Sequence, residues 1–130
     1  MAVYAMRWFR RWMKQHGLVD HDLCLAVLEM SRGLVDADLG GGLLKKRLAR
    51  IGQGKRGGFR TIVASRRAGH WFFLYGFAKN DRDNLDPLKA DECRSAAKQY
   101  LSFSPQQCDA HIKSGKLSEV NCHAQVADPI

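Results

Sequence analysis

The sequence predicts an α+β fold, a small antiparallel sheet packed against helices. Three apolar-rich runs with little helical period, at about 43 to 51, 58 to 67 and 70 to 79, are separated by Gly-rich or basic turns and read as a strand meander. Before and after them, apolar residues recur at helical spacing. With 130 residues, 45% of them hydrophobic, the chain has the size of one ordinary domain and enough apolar material for one core, so residues 1–130 are read as a single domain.

Taken in order, Val3, Tyr4, Ala5, Met6, Arg7 and Trp8 alternate as a short strand. Trp8, Phe9, Trp12 and Met13 then recur at helical spacing up to Gly17, which reads as a C-cap. Asp20 or Asp22 is placed to N-cap the next helix, in which Leu23, Val27 and Met30 share a face and Gly33 marks the end. The meander follows Gly40, Gly41 and Gly42. Beyond Asp86 and Pro87, the residues Leu88, Ala96, Ala97, Tyr100 and Leu101 form a helical pattern. Ser104 and Pro105 read as N-cap and first position of another helix, and Leu117 to Val120 as a last short strand. The expected sheet is therefore the meander, the N-terminal strand and this short C-terminal strand.

Charge is distributed very unevenly over these elements. Between Asp38 and Asp81 there is no acidic residue, against ten basic ones: Lys45, Lys46, Arg47, Arg50, Lys55, Arg56, Arg60, Arg66, Arg67 and Lys79. The formal charge of +8 thus divides into +10 in this window and −2 elsewhere. A solvated surface ordinarily mixes both signs, because crowded like charges repel. A one-sided surface attracts polyanions, and each phosphate that it neutralises releases counterions. The expected partner is a nucleic acid.

Other classes find little support. Cys24, Cys93, Cys108 and Cys122 form no CxxC pair, and no His sits at ligand spacing, so neither a zinc site nor another metal is expected. No apolar run approaches membrane-spanning length, and Arg7, Arg10 and Arg11 interrupt the N-terminus, so no membrane association or signal peptide is expected. Together these readings point to a cytoplasmic protein with reduced thiols and no small-molecule cofactor. Gly52, Gly54 and Gly57 match GxGxxG letter for letter, but a strand rather than a helix is predicted to follow, and positions 72 to 77 hold no acid. A dinucleotide site needs both, so the glycines are read as part of a hairpin.

Strand alternation decides what the basic window shows to solvent. If Leu44 and Leu48 pack inward, so does the stem of Lys46, while Lys45, Arg47 and Ala49 point the other way. On the next strand the same rule separates Phe59, Thr61 and Val63 from Arg60, Ile62 and Ala64. Neighbouring strands then place Lys45, Arg47 and Arg60 on one surface, with Arg50, Lys55 and Arg56 at its end.

The stretch from Gly40 to Asn84, GGGLLKKRLARIGQGKRGGFRTIVASRRAGHWFFLYGFAKNDRDN, resembles the RelE/ParE superfamily of type II toxin–antitoxin toxins. It is most similar to the HigB-like branch, whose members carry a KxRxARxGQGKxGGxR run followed by an apolar strand and a GFAKN-type motif. The element order also matches, so the resemblance covers most of the chain from Tyr4 to Val120. It implies a RelE-like fold and a toxin neutralised by a cognate antitoxin, often of helix-turn-helix type. Many relatives enter the ribosome and cut mRNA without a metal, using the RNA's own 2′-hydroxyl. That chemistry needs a base, cations around the phosphorane and a proton for the leaving 5′-oxygen.

Carried over by position, the resemblance implies catalytic roles for Arg60, Lys45, Arg47 and Lys79, the first as transition-state stabiliser. Lys46, Arg50, Lys55, Arg56 and Arg82 are the expected RNA-binding residues. Relatives that cut mRNA often have an arginine directly after the GFAKN lysine, where this chain has Asn80. Two alternatives therefore stay open: a ParE-like inhibitor of DNA gyrase that acts without catalysis, and an inactive homologue. Tyr75 reads as core, and His70 as an exposed turn residue.

Overall fold

The computed structural model describes residues 2–50, 54–78 and 85–122, and the side chains of residues 50 and 54–57 lie outside the description. The chain opens with β1 (Val3–Met6), passes directly into α1 (Arg7–Gln15), and continues through α2 (Asp20–Ser31), β2 (Ala37–Asp38), β3 (Leu43–Arg50), β4 (Gly54–Ser65) and β5 (Trp71–Ala78). It ends with α3 (Pro87–Leu101), α4 (Pro105–Lys113) and β6 (Leu117–Glu119). The predicted elements are thus present, with β2 as an unforeseen short edge strand.

One sheet in the order β2-β3-β4-β5-β1-β6 holds the molecule together. The meander is antiparallel, as expected, but β1 runs parallel to β5 with Val3 opposite Trp71 and Ala5 opposite Phe73. The chain leaves β1 through two helices, crosses to the far edge and returns over three strands, so that the last one arrives in β1's own direction.

Helices cover both faces. On one, α1 and α2 bury Phe9, Met13, Leu23, Val27 and Met30 against Leu44, Leu48, Phe59, Val63, Trp71 and Phe73. On the other, Cys93, Ala97 and Tyr100 of α3 and Cys108 of α4 pack on Tyr4, Leu43, Ile62, Ala64, Phe72 and Leu117. Each strand can supply both cores because successive side chains point to opposite faces.

Local signals explain most helix ends. Ser104 accepts from the Gln107 amide while Gln107 Oε1 accepts from the Ser104 amide at 2.7 Å, a reciprocal capping box with Pro105 at the first position. At α2 the expected cap is corrected. The N-cap is Val19, whose amide donates to Asp22 Oδ2 at 2.8 Å, whereas Asp20 pairs with Arg10 and accepts from the Asn121 amide at 2.8 Å.

The reduced state expected of all four cysteines is corrected as well. Cys24 of α2 and Cys122, 98 residues apart with Cα atoms 5.5 Å apart, form a disulfide, while Cys93 and Cys108 are free and buried. No short-range pattern announces the pair, because it exists only once β6 lies beside β1 and Asn121 is held at the start of α2.

Candidate nucleic-acid interface

The register of β3 on β4 assembles the core of the predicted basic surface. Arg47 is opposite Arg60, Lys45 opposite Ile62 and Leu43 opposite Ala64. Residues opposite one another project to the same face with Cβ atoms about 4.5–5.5 Å apart. Leu43 and Ala64 lie under α3 and α4, and the face emerges from that cover towards Lys45, Arg47 and Arg60. Like charges directly opposite each other weaken a sheet, so an Arg–Arg pair is a local cost of the kind expected where function sets the residues.

The three cations differ in accessibility. Arg47 is 47% exposed and is steadied by Asp36, whose carboxylate accepts from Arg47 Nε at 3.2 Å and from its backbone amide at 2.6 Å. Lys45 is half-buried, and its ammonium makes no hydrogen bond or ion pair among the described residues. Arg60 is only 5% exposed and is engaged with neighbouring groups. It stands on the surface row as expected, yet shows it little guanidinium.

Lys46, expected among the RNA-binding residues, stands apart from this row. It lies on the α2 face, 4% exposed, with Nζ 2.8 Å from Glu29 Oε1 and donating to the Leu34 carbonyl at 2.9 Å. Alternation sent it there, and a buried ammonium requires such partners. The side chains of Arg50, Lys55 and Arg56, and all of Lys79 and Arg82, lie outside the described residues. Gly52 lies outside them too, but Gly54 onward is strand, where a dinucleotide motif needs a helix.

The aromatic side of this face was not anticipated. A bulge pairs Ile62 with Tyr75 but Val63 with Phe73, which makes Leu74 the extra residue and aligns Tyr75 and Phe77 with Ile62 and Arg60. Bulges re-aim side chains in this way beside functional sites. Tyr75 stacks on Trp8 with ring centroids 4.6 Å apart, and Lys89 Nζ lies 5.2 Å above the Tyr75 ring. Periodicity hid this arrangement because Tyr75 sits in a run of core aromatics, and only the register distinguishes it from them. Beneath the stack, burial pushes the Cys93 thiol up to about 11, so no reactive thiolate is present there at neutral pH.

A second basic site lies at the other end of β3. Gly40, Gly41, Gly42, Arg66, Arg94 and Lys98 line a cleft of about 700 Å³, which separates Arg66 from the Arg47–Arg60 pair. His70 is also remote from that pair: Nδ1 accepts from the Ala2 amide at 3.1 Å, and the ring lies edge-on to Tyr4 and Phe72. Among the described residues no His, Cys, Asp and Glu gather in a group able to hold a metal, and no helix is long and apolar enough to cross a membrane.

These features belong to a known pattern. The family profile described as "RelE toxin of RelE / RelB toxin-antitoxin system" matches residues 1–120, nearly the whole described chain. No curated protein sequence matches the chain. With the profile spanning every element from β1 to β6, the chain belongs to the RelE toxin family of toxin–antitoxin systems.

Proposed function

We propose that this toxin is a ribosome-dependent mRNA endoribonuclease of the HigB-like branch, held inactive by a cognate antitoxin of helix-turn-helix type. The observation that carries the reading is the cross-strand pair Arg47–Arg60 with Lys45 beside it, on a face that runs on into stacked aromatics. Cationic side chains interleaved with aromatic ones suit a single strand, whose backbone follows the charge while its bases stack.

In the proposed reaction the RNA's 2′-oxygen attacks the adjacent phosphorus and the 5′-oxygen leaves, so the protein need only move protons and stabilise charge. Arg47 and Arg60 flank the developing phosphorane, and preorganised charge aimed at such a centre is commonly the largest catalytic contribution. Lys45, whose ammonium has no competing partner among the described residues, binds or activates the RNA at the same row. Lys79 completes the catalytic set, with Arg50, Lys55, Arg56 and Arg82 on the backbone. Because Arg60 is buried, its contact with RNA requires its present neighbours to move aside. That same burial favours a second reading, a gyrase inhibitor in which Arg60 is purely structural.

Action on translating ribosomes belongs to the cytoplasm, a reducing compartment that works against the Cys24–Cys122 disulfide of the structure. Activity should therefore survive reduction. The deciding experiment maps mRNA 5′ ends in a translating extract given wild type, Arg47→Ala or Arg60→Ala, with and without ribosomes. New ends that require ribosomes and fall at least tenfold in both variants support the reading. Intact mRNA together with inhibited DNA supercoiling would replace it with gyrase inhibition.

A further inference from the structure

We infer that Trp8, Tyr75 and Lys89 form a stacking site for one unpaired base of the bound RNA, so that the toxin holds its substrate by a base as well as by its backbone. This site deepens the endoribonuclease reading and rests on it.

The placement follows from the topology. β1 pairs with β5 only as far as Phe73, and the chain then turns into α1, so the outer edge of β5 from Leu74 onward is flanked by the first turn of a helix instead of a strand. Trp8 stands at that turn. Its indole is stacked on Tyr75 with an interplanar angle of 26° and remains 40% exposed, whereas Trp12 and Trp71 are buried. If Trp8 served only to cover the β5 edge, its own burial would be the favourable outcome, since exposed aromatic surface forgoes the gain of leaving water.

The site also has walls and charge. Met6, Trp8, Leu74, Tyr75, Lys89 and Cys93 line a pocket of about 180 Å³. Lys89 donates to Glu92 Oε2 at 3.0 Å, and this bond raises its pKa and keeps it cationic. A phosphate attached to the stacked base would meet that ammonium, while Glu92, at 67% side-chain exposure, offers an acceptor to a base edge.

Proximity to the basic row identifies the occupant. Tyr75 is directly opposite Ile62, which is itself opposite Lys45, so two strand spacings, about 10 Å, separate the stack from Lys45. Along β5, Tyr75 is two residues from Phe77, the partner of Arg60, about 7 Å away. Ile62 and Phe77 between them are buried, so a single strand held at Arg47 and Lys45 passes over their cover to bring a further base to Trp8. Every base has a π-face, so the site is expected to hold any of the four, with preference set at its Lys89 and Glu92 rim.

The test titrates a short single-stranded RNA, 2′-O-methylated throughout to prevent cleavage, into full-length protein at low salt and follows tryptophan fluorescence. Wild type, Trp8→Ala, Trp8→Phe and Arg47→Ala are compared, with far-UV circular dichroism confirming the fold and anisotropy of labelled RNA giving affinities. Binding should quench the emission of Trp8. Trp8→Ala should weaken binding by about 5- to 150-fold, the range for losing one stacked base, while Trp8→Phe stays within about threefold. If Arg47→Ala weakens binding and Trp8→Ala does not, the stacking site is overturned and the endoribonuclease reading stands. If wild type binds no RNA and cleaves none in the extract, both fall. Loss of self-association by Trp8→Ala in sedimentation, with RNA affinity unchanged, would assign the surface to a second copy and also overturn the proposal.

Discussion

Lys46 and Arg47 are neighbours in the chain, carry the same charge and share a strand, yet they live in different surroundings. Lys46 is sunk under α2 between Glu29 and the Leu34 carbonyl, whereas Arg47 stands in solvent against Asp36 and faces Arg60. The contrast extends to the two faces of the sheet. The α1/α2 face is closed by core packing, a buried ion pair and a disulfide. The opposite face is closed by α3 and α4 around Leu43, Ala64 and Phe72 and opens towards Lys45, Arg47 and Trp8. A basic residue in this protein is therefore structural or available to a partner according to its parity along β3.

That comparison can be broken most severely at the disulfide. Cys24 and Cys122, 98 residues apart, close a long loop, so reduction, or Cys24→Ser with Cys122→Ser, should lower unfolding stability by about 2–4 kcal/mol while leaving the Arg47 surface unchanged. Urea denaturation with and without reductant measures this, and a loss below about 0.5 kcal/mol would show that the closed face does not depend on its staple.

Gly76→Ala should cost about 1–3 kcal/mol through overpacking, because a Cβ there would clash with three ring carbons of Trp12, well inside van der Waals contact. Thermal unfolding reads the loss directly. A neutral result would mean that Trp12 has room to shift.

Adjacent substitutions at the divide sharpen the contrast further. Lys46→Ala removes one partner each from the Glu29 carboxylate and the Leu34 carbonyl and should cost about 1–3 kcal/mol, less than for a fully buried pair because Glu29 is a third exposed. Arg47→Ala should change stability by no more than about 0.5 kcal/mol while reducing RNA affinity. Equal stability losses at the two positions would erase the distinction between the faces.

The smallest effect concerns pH. Burial raises the Cys93 thiol from 9.0 to about 11, and burial together with Cys108 and Glu119 raises the Tyr4 phenol from 10.0 to about 12. Both groups are held neutral more firmly in the folded state than in the unfolded one. Their contribution is complete below pH 9 and is lost as pH climbs through 11 to 12. Stability measured from pH 8 to 11 should fall first through Cys93, and Cys93→Ala should flatten the start of that decline.

Much of this was legible in the sequence, because the signals are local. The meander, the capping box at Ser104 and the helix from Pro87 follow from periodicity and cap chemistry within a few residues. The shared face of Lys45, Arg47 and Arg60 was also legible, since alternation needs only the assumption that their strands are neighbours. Lys46 was expected to bind RNA although the same alternation turns its stem inward, and the structure holds it there against Glu29.

By itself, then, the sequence determined the fold class, the order of the main elements and a cationic strand surface, each set by spacing along the chain. Tertiary structure alone decided the parallel β1–β5 pairing, the Asp36 and Glu29 partners, the Cys24–Cys122 bond and the Trp8–Tyr75 stack. The physical reason is common to all four. Each joins residues from different elements, so its geometry depends on strand register, a bulge and helix placement that no local pattern encodes.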